Sequence, residues 1–317
     1  MGLSHRRMCG SIKNMTLQTI ESLLPLCILF VALAAMLAIL QRVVVDIRAR
    51  AGNGDFSELH LRSPGESIWS KLDRTAQEIT AYGVAVFVVP LSLYTVYLSY
   101  LHFGRASGQW TETVYLVCLS VGFVVYGGNR LRRLVNKQRH LRRVYAGLQV
   151  VAQEINQLML SGHRVFHDFP TGQFNIDHII VGPNGVYTVQ SRVPSDLESV
   201  NGHQDSTVYL DGQVLRFQER VDTRTVSNAA FQAAWLANWL LTTSGIALRV
   251  QALLTVPGWT IQTLRQGEVL GADPHQVGRI VAHHPTSRLT EKATLQICSQ
   301  IEDKCRVPAA QELPAGN

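Results

Sequence analysis

Asp177, Gln190 and Arg192 are the residues of this 317-residue chain whose types and spacing could do chemistry. They flank the reversal Gly182-Pro183-Asn184-Gly185, where Pro183 fixes φ and Gly185 accepts a positive one, so the chain turns back there. If Pro183 and Asn184 alone form the loop, Gly182 faces Gly185. Counting outward, Asp177 then lies across from Gln190, and Arg192, two residues on, shares their face. A bulge at Gly185 would slip this register by one. Carboxylate oxygens are what a hard divalent cation selects. Gln190 offers an uncharged amide oxygen in place of a second charge. Arg192 stays protonated at any working pH, so it can hold an anion but cannot serve as a base. The set reads as a cation-dependent hydrolytic site that kept one acid and neutralised or altered its other members.

Other groups that could do chemistry have plainer readings. Glu154 flanks a buried helical stripe, where a solvated role suffices, and His178 points to the opposite face from Asp177, as a surface or packed histidine. His283 and His284 adjoin Pro285 at an expected strand end, with no cysteine or acid at ligand spacing, and are read as loop residues. The five cysteines form no CxxC pair. Cys298 and Cys305, seven apart on an expected helix with Ile301 between them, read as core thiols.

The elements that must position the hairpin follow from periodicity. Leu141, Val144, Leu148, Val151, Ile155 and Leu158 recur in steps of three and four, which predicts one buried helical stripe. A short strand around Val165 and Phe166 comes next, then the hairpin itself. A second hairpin, "STVYLDGQVLRF", carries Asp211-Gly212 as its turn signal. A helix with Phe231, Trp235 and Trp239, a strand over Leu248 to Val256, a strand over Arg279 to Ala282 and a last helix over Thr290 to Arg306 complete the series. Helix, antiparallel strands, helix and strand in that order predict an α/β fold, a mixed sheet flanked by helices.

The N-terminal half is of another kind. "LLPLCILFVALAAMLAIL" (Leu23 to Leu40), "AYGVAVFVVPLSLYTVYLSYL" (Ala81 to Leu101) and Trp110 to Tyr126 are apolar runs near the ~20 residues that span a bilayer as a helix, predicting about three spans. Residues 1 to 145 hold 17 Lys+Arg against 8 Asp+Glu, a balance of +9, whereas residues 146 to 317 hold 12 against 15, a balance of −3. The basic excess belongs to the membrane half, and "RLRRLVNKQRHLRR" (Arg130 to Arg143) reads as topogenic charge beside lipid heads. By that rule the globular part faces the cytoplasm, at a bacterial-type inner membrane. The expected organisation is a membrane region over 1–129, a basic juxtamembrane linker over 130–145, a globular domain over 146–306 and a flexible tail over 307–317.

"NIDHIIVGPNGVYTVQSR" resembles the signature of the nuclease-related domain (NERD) family, and the likeness runs on through the "LDG" hairpin, "QAAWLANWLL" and "LLTVPGWTI", roughly Gly147 to Arg306. The resemblance implies a restriction-endonuclease-like core of the PD-(D/E)xK superfamily. It matches Asp177 to the motif aspartate, Gln190 to its second acid and Arg192 to its lysine. The Gly-Glu pair that the family's first helix usually carries is here Gly147 followed by Leu148 and Gln149. By residue physics alone Asp177 serves equally well as a polar strand opener ahead of Ile179 and Val181; the resemblance is what singles it out.

Phosphodiester hydrolysis in that superfamily uses Mg²⁺ or Mn²⁺ held by carboxylates. Asp177 alone is a thin cradle for such an ion. Three functions are consistent with these residues. One is a membrane-tethered, nuclease-derived module that binds DNA, RNA or a protein without cutting. Another is an active nuclease in which Asp168 or Glu154 has taken over as the second acid beside Asp177. The third is a membrane scaffold for a protein partner, which the −3 balance of the globular half favours.

Overall fold

The computed structural model describes residues 61–103, 110–194, 207–217 and 220–306; the run from Leu23 to Leu40 and the tail lie outside them. The described chain falls into two compact units, 76–136 and a second comprising 61–75 with 137–306.

The first unit is built from two long helices, α1 (Glu66–Phe103) and α2 (Trp110–Asn156), each of which continues into the second unit. Each carries a stretch long and apolar enough to cross a membrane, with its side chains almost wholly outside the protein interior. Phe87, Leu91, Val121 and Tyr126 are exposed on them. A helix that turns its apolar residues outward suits lipid better than water. The spans expected at Ala81 to Leu101 and Trp110 to Tyr126 fall on these helices, so two rather than about three candidates stand among the described residues. The basic segment Arg130–Arg143 is not a separate connector: α2 runs through it without a break. Arg130 lies over the Tyr82 ring, 5.7 Å from its centroid, and 3.9 Å from Glu78.

The second unit holds two mixed sheets. Strands β1 (Arg164–Pro170), β2 (Asn175–Gly182), β3 (Gly185–Ser191), β7 (Val250–Thr255) and β9 (Val269–Gly271) form the larger, in the order β1-β2-β3-β7-β9. Strands β4 (Thr207–Asp211), β5 (Val214–Arg216), β6 (Val221–Asp222) and β8 (Thr260–Arg265) form the smaller, ordered β6-β5-β4-β8. Helices α3 (Arg224–Ser244), α4 (Val277–His283) and α5 (Glu291–Cys305) complete the unit. One face of the larger sheet, with Phe166, Ile179 and Val181, packs on Val226, Ala229, Leu236 and Leu240 of α3 and on Ile297, Cys298, Ile301 and Cys305 of α5. The other face, with Val165, Ile180, Tyr187 and Leu253, packs on Val151 and Ile155 of α2 and on Val277 and Val281 of α4. The expected helical stripe therefore covers one face, and the two cysteines are core thiols, their pKa values pushed up to about 11 and 12 by burial. Each large apolar side chain so enclosed contributes ~1.5–3 kcal/mol.

Three local expectations are corrected. Arg279–Ala282 is helix rather than strand, because Val277, Ile280 and Val281 recur at helical spacing and reach the core together. His283 and His284 accordingly end a helix, exposed, and not a strand. The β4–β5 reversal is Gly212-Gln213, one residue later than Asp211-Gly212, since Asp211 still pairs with Val214 and Gly212 takes the positive φ of 62°.

Candidate active site

The β2–β3 hairpin fixes the geometry. Gly182 pairs with Gly185, Val181 with Val186, and the ladder runs on to His178 opposite Val189. One further step sets Asp177 across from Gln190, as the two-residue loop predicts. Glycine at 185 is required: φ is 127° there, and a Cβ would run into the Thr286 side chain.

On its other side β2 meets β1, with His167 opposite His178 and Phe169 opposite Ile176. The numbering is unbroken between these pairs, which sets Asp168 opposite Asp177. Strand regularity fails at that step. Asp168 has φ 49°, the one positive value outside glycine among the described residues. Phe166 and Phe169, three apart, both reach the same core face, as do Ile176 and Ile179. A regular strand alternates faces.

The two acids go to different partners. Asp177, half-buried, accepts a 2.8 Å hydrogen bond at Oδ2 from the Ser191 amide. Burial outweighs that bond and, with the Asp168 charge adding to it, raises the Asp177 pKa to about 7. Asp168 is buried, and the start of α1 surrounds it. Its Oδ2 accepts from the Ser67 amide at 2.8 Å, its Oδ1 from the Ser67 hydroxyl at 2.7 Å and from Asn175 Nδ2 at 3.1 Å. Arg62, also buried, places Nη1 3.6 Å from Oδ2 and 3.3 Å from the Asp168 carbonyl oxygen. A carboxylate at the first turn of a helix satisfies amides that have no intrahelical partner.

Gln190 is half-buried, and its Oε1 is enclosed without a hydrogen-bond partner among the described residues. Arg192 is exposed and reaches Asp222, Nη2 to Oδ2 3.4 Å; Asp222 in turn accepts from the amide and hydroxyl of Thr225 at the start of α3. These partners hold the Asp222 carboxyl below its usual range, against the effect of burial. Glu154 is drawn off to His275, Oε1 to Nδ1 3.0 Å. Gln149, where the acid of the first helix is replaced, donates from Nε2 to the Pro64 carbonyl at 2.9 Å.

Of the expected residues the structure therefore brings Asp177, Gln190 and Asp168 to one strand level. Arg192 is tied to α3 and Glu154 to His275. Among the described residues no three of His, Cys, Asp and Glu converge as a metal site. The donor set decides the fit: one carboxylate that holds its proton to about pH 7 and one amide oxygen are a poor match to the anionic oxygens that Mg²⁺ or Mn²⁺ requires. No catalytic step through such an ion follows from these residues.

Sequence reasoning missed the 62–67 segment, although Ser63 and Glu66 carry the spacing of a helix start, and the Ser63 amide does donate to Glu66 Oε2 at 3.0 Å. It also missed His167. His167 and His178 meet Nδ1 to Nδ1 at 2.8 Å, and His167 Nε2 lies 3.0 Å from Asn156 Oδ1. In this orientation of the Asn156 amide, His167 carries its proton on Nε2 and His178 on Nδ1, leaving the buried His178 Nε2 without a partner. His178 is thus packed rather than at the surface. Burial lowers the His167 pKa to about 4 and that of His178 well below the usual value. Unfolded imidazoles gain protons near pH 6.5 while these two resist, so the pair's stabilisation is full above pH 6.5 and falls as pH drops toward 4. His167 alone accounts for up to ~3 kcal/mol of that loss. Urea denaturation at pH 7 and pH 4.5 should show it, and His178→Leu should reduce the difference.

Residues 143–257 match the family model of the nuclease-related domain, NERD. The match takes in the end of α2, the hairpin with Asp177, Gln190 and Arg192, and β7, and it supports a nuclease-like fold for this part of the chain. No curated protein and no solved structure matches the chain.

Proposed function

We propose that the chain is a membrane-anchored nuclease-related domain whose metal chemistry is impaired, and that it binds nucleic acid or a protein without cutting. The observation that carries this reading is the placement of the acids. Asp168, set opposite Asp177, is committed to Ser67, Asn175 and Arg62, while the remaining motif positions are Gln190 and Arg192. Gln190 cannot supply the missing negative charge, and Arg192 cannot give up a proton as a lysine of depressed pKa can. The exposed apolar faces of α1 and α2 support the anchor. The Lys/Arg pattern around them supports a cytoplasmic globular part at a bacterial-type inner membrane, which a reporter fused after Asn317 checks.

The test is the full chain in lipid nanodiscs, incubated with plasmid DNA and with RNA in Mg²⁺ or Mn²⁺. The wild type should leave both intact. Gln190→Glu with Arg192→Lys restores the family pattern and should gain cutting if the scaffold is otherwise sound. Metal-dependent cleavage by the wild type that Asp177→Ala abolishes would overturn the proposal. The −3 balance of residues 146 to 317 favours a protein over a polyanion as the partner. A partner recovered from membranes after nuclease treatment would bear that out.

A further inference from the structure

Asp168 and Asp177 stand opposite each other on adjacent strands, and one of them is the docking point of the first turn of α1. Residues directly opposite in an antiparallel pair put their Cβ atoms ~4.5–5.5 Å apart, close enough for two carboxylates to feel each other strongly in a partly buried setting. Ser67 and Arg62 favour the ionised form of Asp168, since they offer it an amide, a hydroxyl and a guanidinium. A second negative charge at Asp177 works against that same anion. Ser191 is the hydrogen-bond donor given to Asp177, and it does not neutralise it.

The rest of the 61–67 segment is held by contacts that carry little charge. Gln149 binds the Pro64 carbonyl, and Gly65, at φ 70°, lies against Tyr145 and Leu148. Asp168 is therefore the electrostatic element of this attachment, and it sits where α1 begins.

We infer that the first turn of α1 is a latch on Asp168 whose grip depends on the charge of Asp177: it is tight while Asp177 is protonated and loosened when Asp177 ionises. Linkage makes the effect reciprocal, so whatever draws α1 from Asp168 also changes how readily Asp177 loses its proton. The inference does not depend on whether nucleic acid or protein is the partner.

Other groups near the pair do not titrate in the relevant range. Arg62 remains a cation, and burial keeps His167 and His178 neutral. The Cys305 thiol on α5, which senses Arg62, Asp168, Glu302 and Glu66, is pushed up to about 12. With the Asp177 pKa raised to about 7, its ionisation is what changes between pH 5.5 and pH 8.

Hydrogen exchange of the full chain in nanodiscs tests the latch, read on amides 63–70 and corrected for intrinsic exchange at each pH. At pH 8, Asp177→Asn should slow exchange in this segment about threefold or more relative to wild type. At pH 5.5 the two proteins should agree. In an Asp168→Asn background, exchange of 63–70 should be faster and Asp177→Asn should no longer alter it. Equal protection of 63–70 in wild type and Asp177→Asn at pH 8 would overturn the latch. So would an effect of the same size at pH 5.5. If Asp168→Asn does not fold, the comparison at two pH values still decides.

Discussion

Asp177→Asn stabilises the protein at pH 8, by up to ~4 kcal/mol, and does so hardly at all near pH 4. The sign follows from the raised pKa. Unfolded, the carboxyl ionises near its ordinary 3.8; folded, it holds its proton to about 7. Below the lower value both states are protonated and the group is neutral to stability. As pH rises through the window, the unfolded state gains from ionisation that the folded state refuses. Stability is therefore lost progressively up to about pH 7 and is flat beyond. Asparagine keeps an oxygen for the Ser191 amide and removes the charge. Chemical denaturation of wild type and variant at pH 4, 6 and 8 measures the gap, which should open with pH. A gap that is constant across the three would show that Asp177 is as free to ionise when folded as when unfolded. The trend opposes that of the His167–His178 pair, which loses stability toward acid. Wild-type stability is therefore flatter between pH 4 and 6.5 than either contribution alone.

Asp168→Ala has the opposite sign and comparable size, a loss of ~3–5 kcal/mol at neutral pH. The substitution removes the carboxylate facing buried Arg62 and strips an acceptor from the Ser67 amide, the Ser67 hydroxyl and Asn175. It also leaves an alanine at φ 49°, a conformation that costs an L-residue with a Cβ ~1–2 kcal/mol. Asp168→Gly relieves the backbone part and Asp168→Asn keeps part of the hydrogen bonding, so the order of stability should be wild type, Asn, Gly, Ala. Thermal unfolding ranks them. If Ala proved as stable as Asn, the carboxylate contacts would be dispensable.

Much of the hairpin was legible because a short loop leaves few choices. Pro183 and Asn184 can form the reversal in one way without a bulge, and the facing of Asp177 and Gln190 follows by counting. The helical stripe ending in Val151 and Ile155 was legible for the same reason, as a period repeated over several turns. The strands β8 and β9 were not. β8 is mostly exposed and β9 has three residues, so neither shows an alternating pattern. The fate of Asp168 was hidden for a deeper reason. Its partners Arg62 and Ser67 lie more than a hundred residues away, and only the closed fold brings them to β1. Asp168 was identified as an acid that could stand beside Asp177, and it does stand there in the sheet. Its side chain serves a helix end instead.

The Pro183-Asn184 tip is itself bolted down. Asn184 accepts at its carbonyl from the amides of Thr286 and Ser287, Pro183 from that of Leu289, and the Asn184 side chain donates to the Val281 carbonyl. Adding or deleting one residue there would invert which side of the sheet every later β3 side chain occupies. The connector between α4 and α5 thus acts as a ruler's zero mark. Anyone transplanting or redesigning this hairpin must carry residues 281–289 with it, or the acid and the amide will no longer meet.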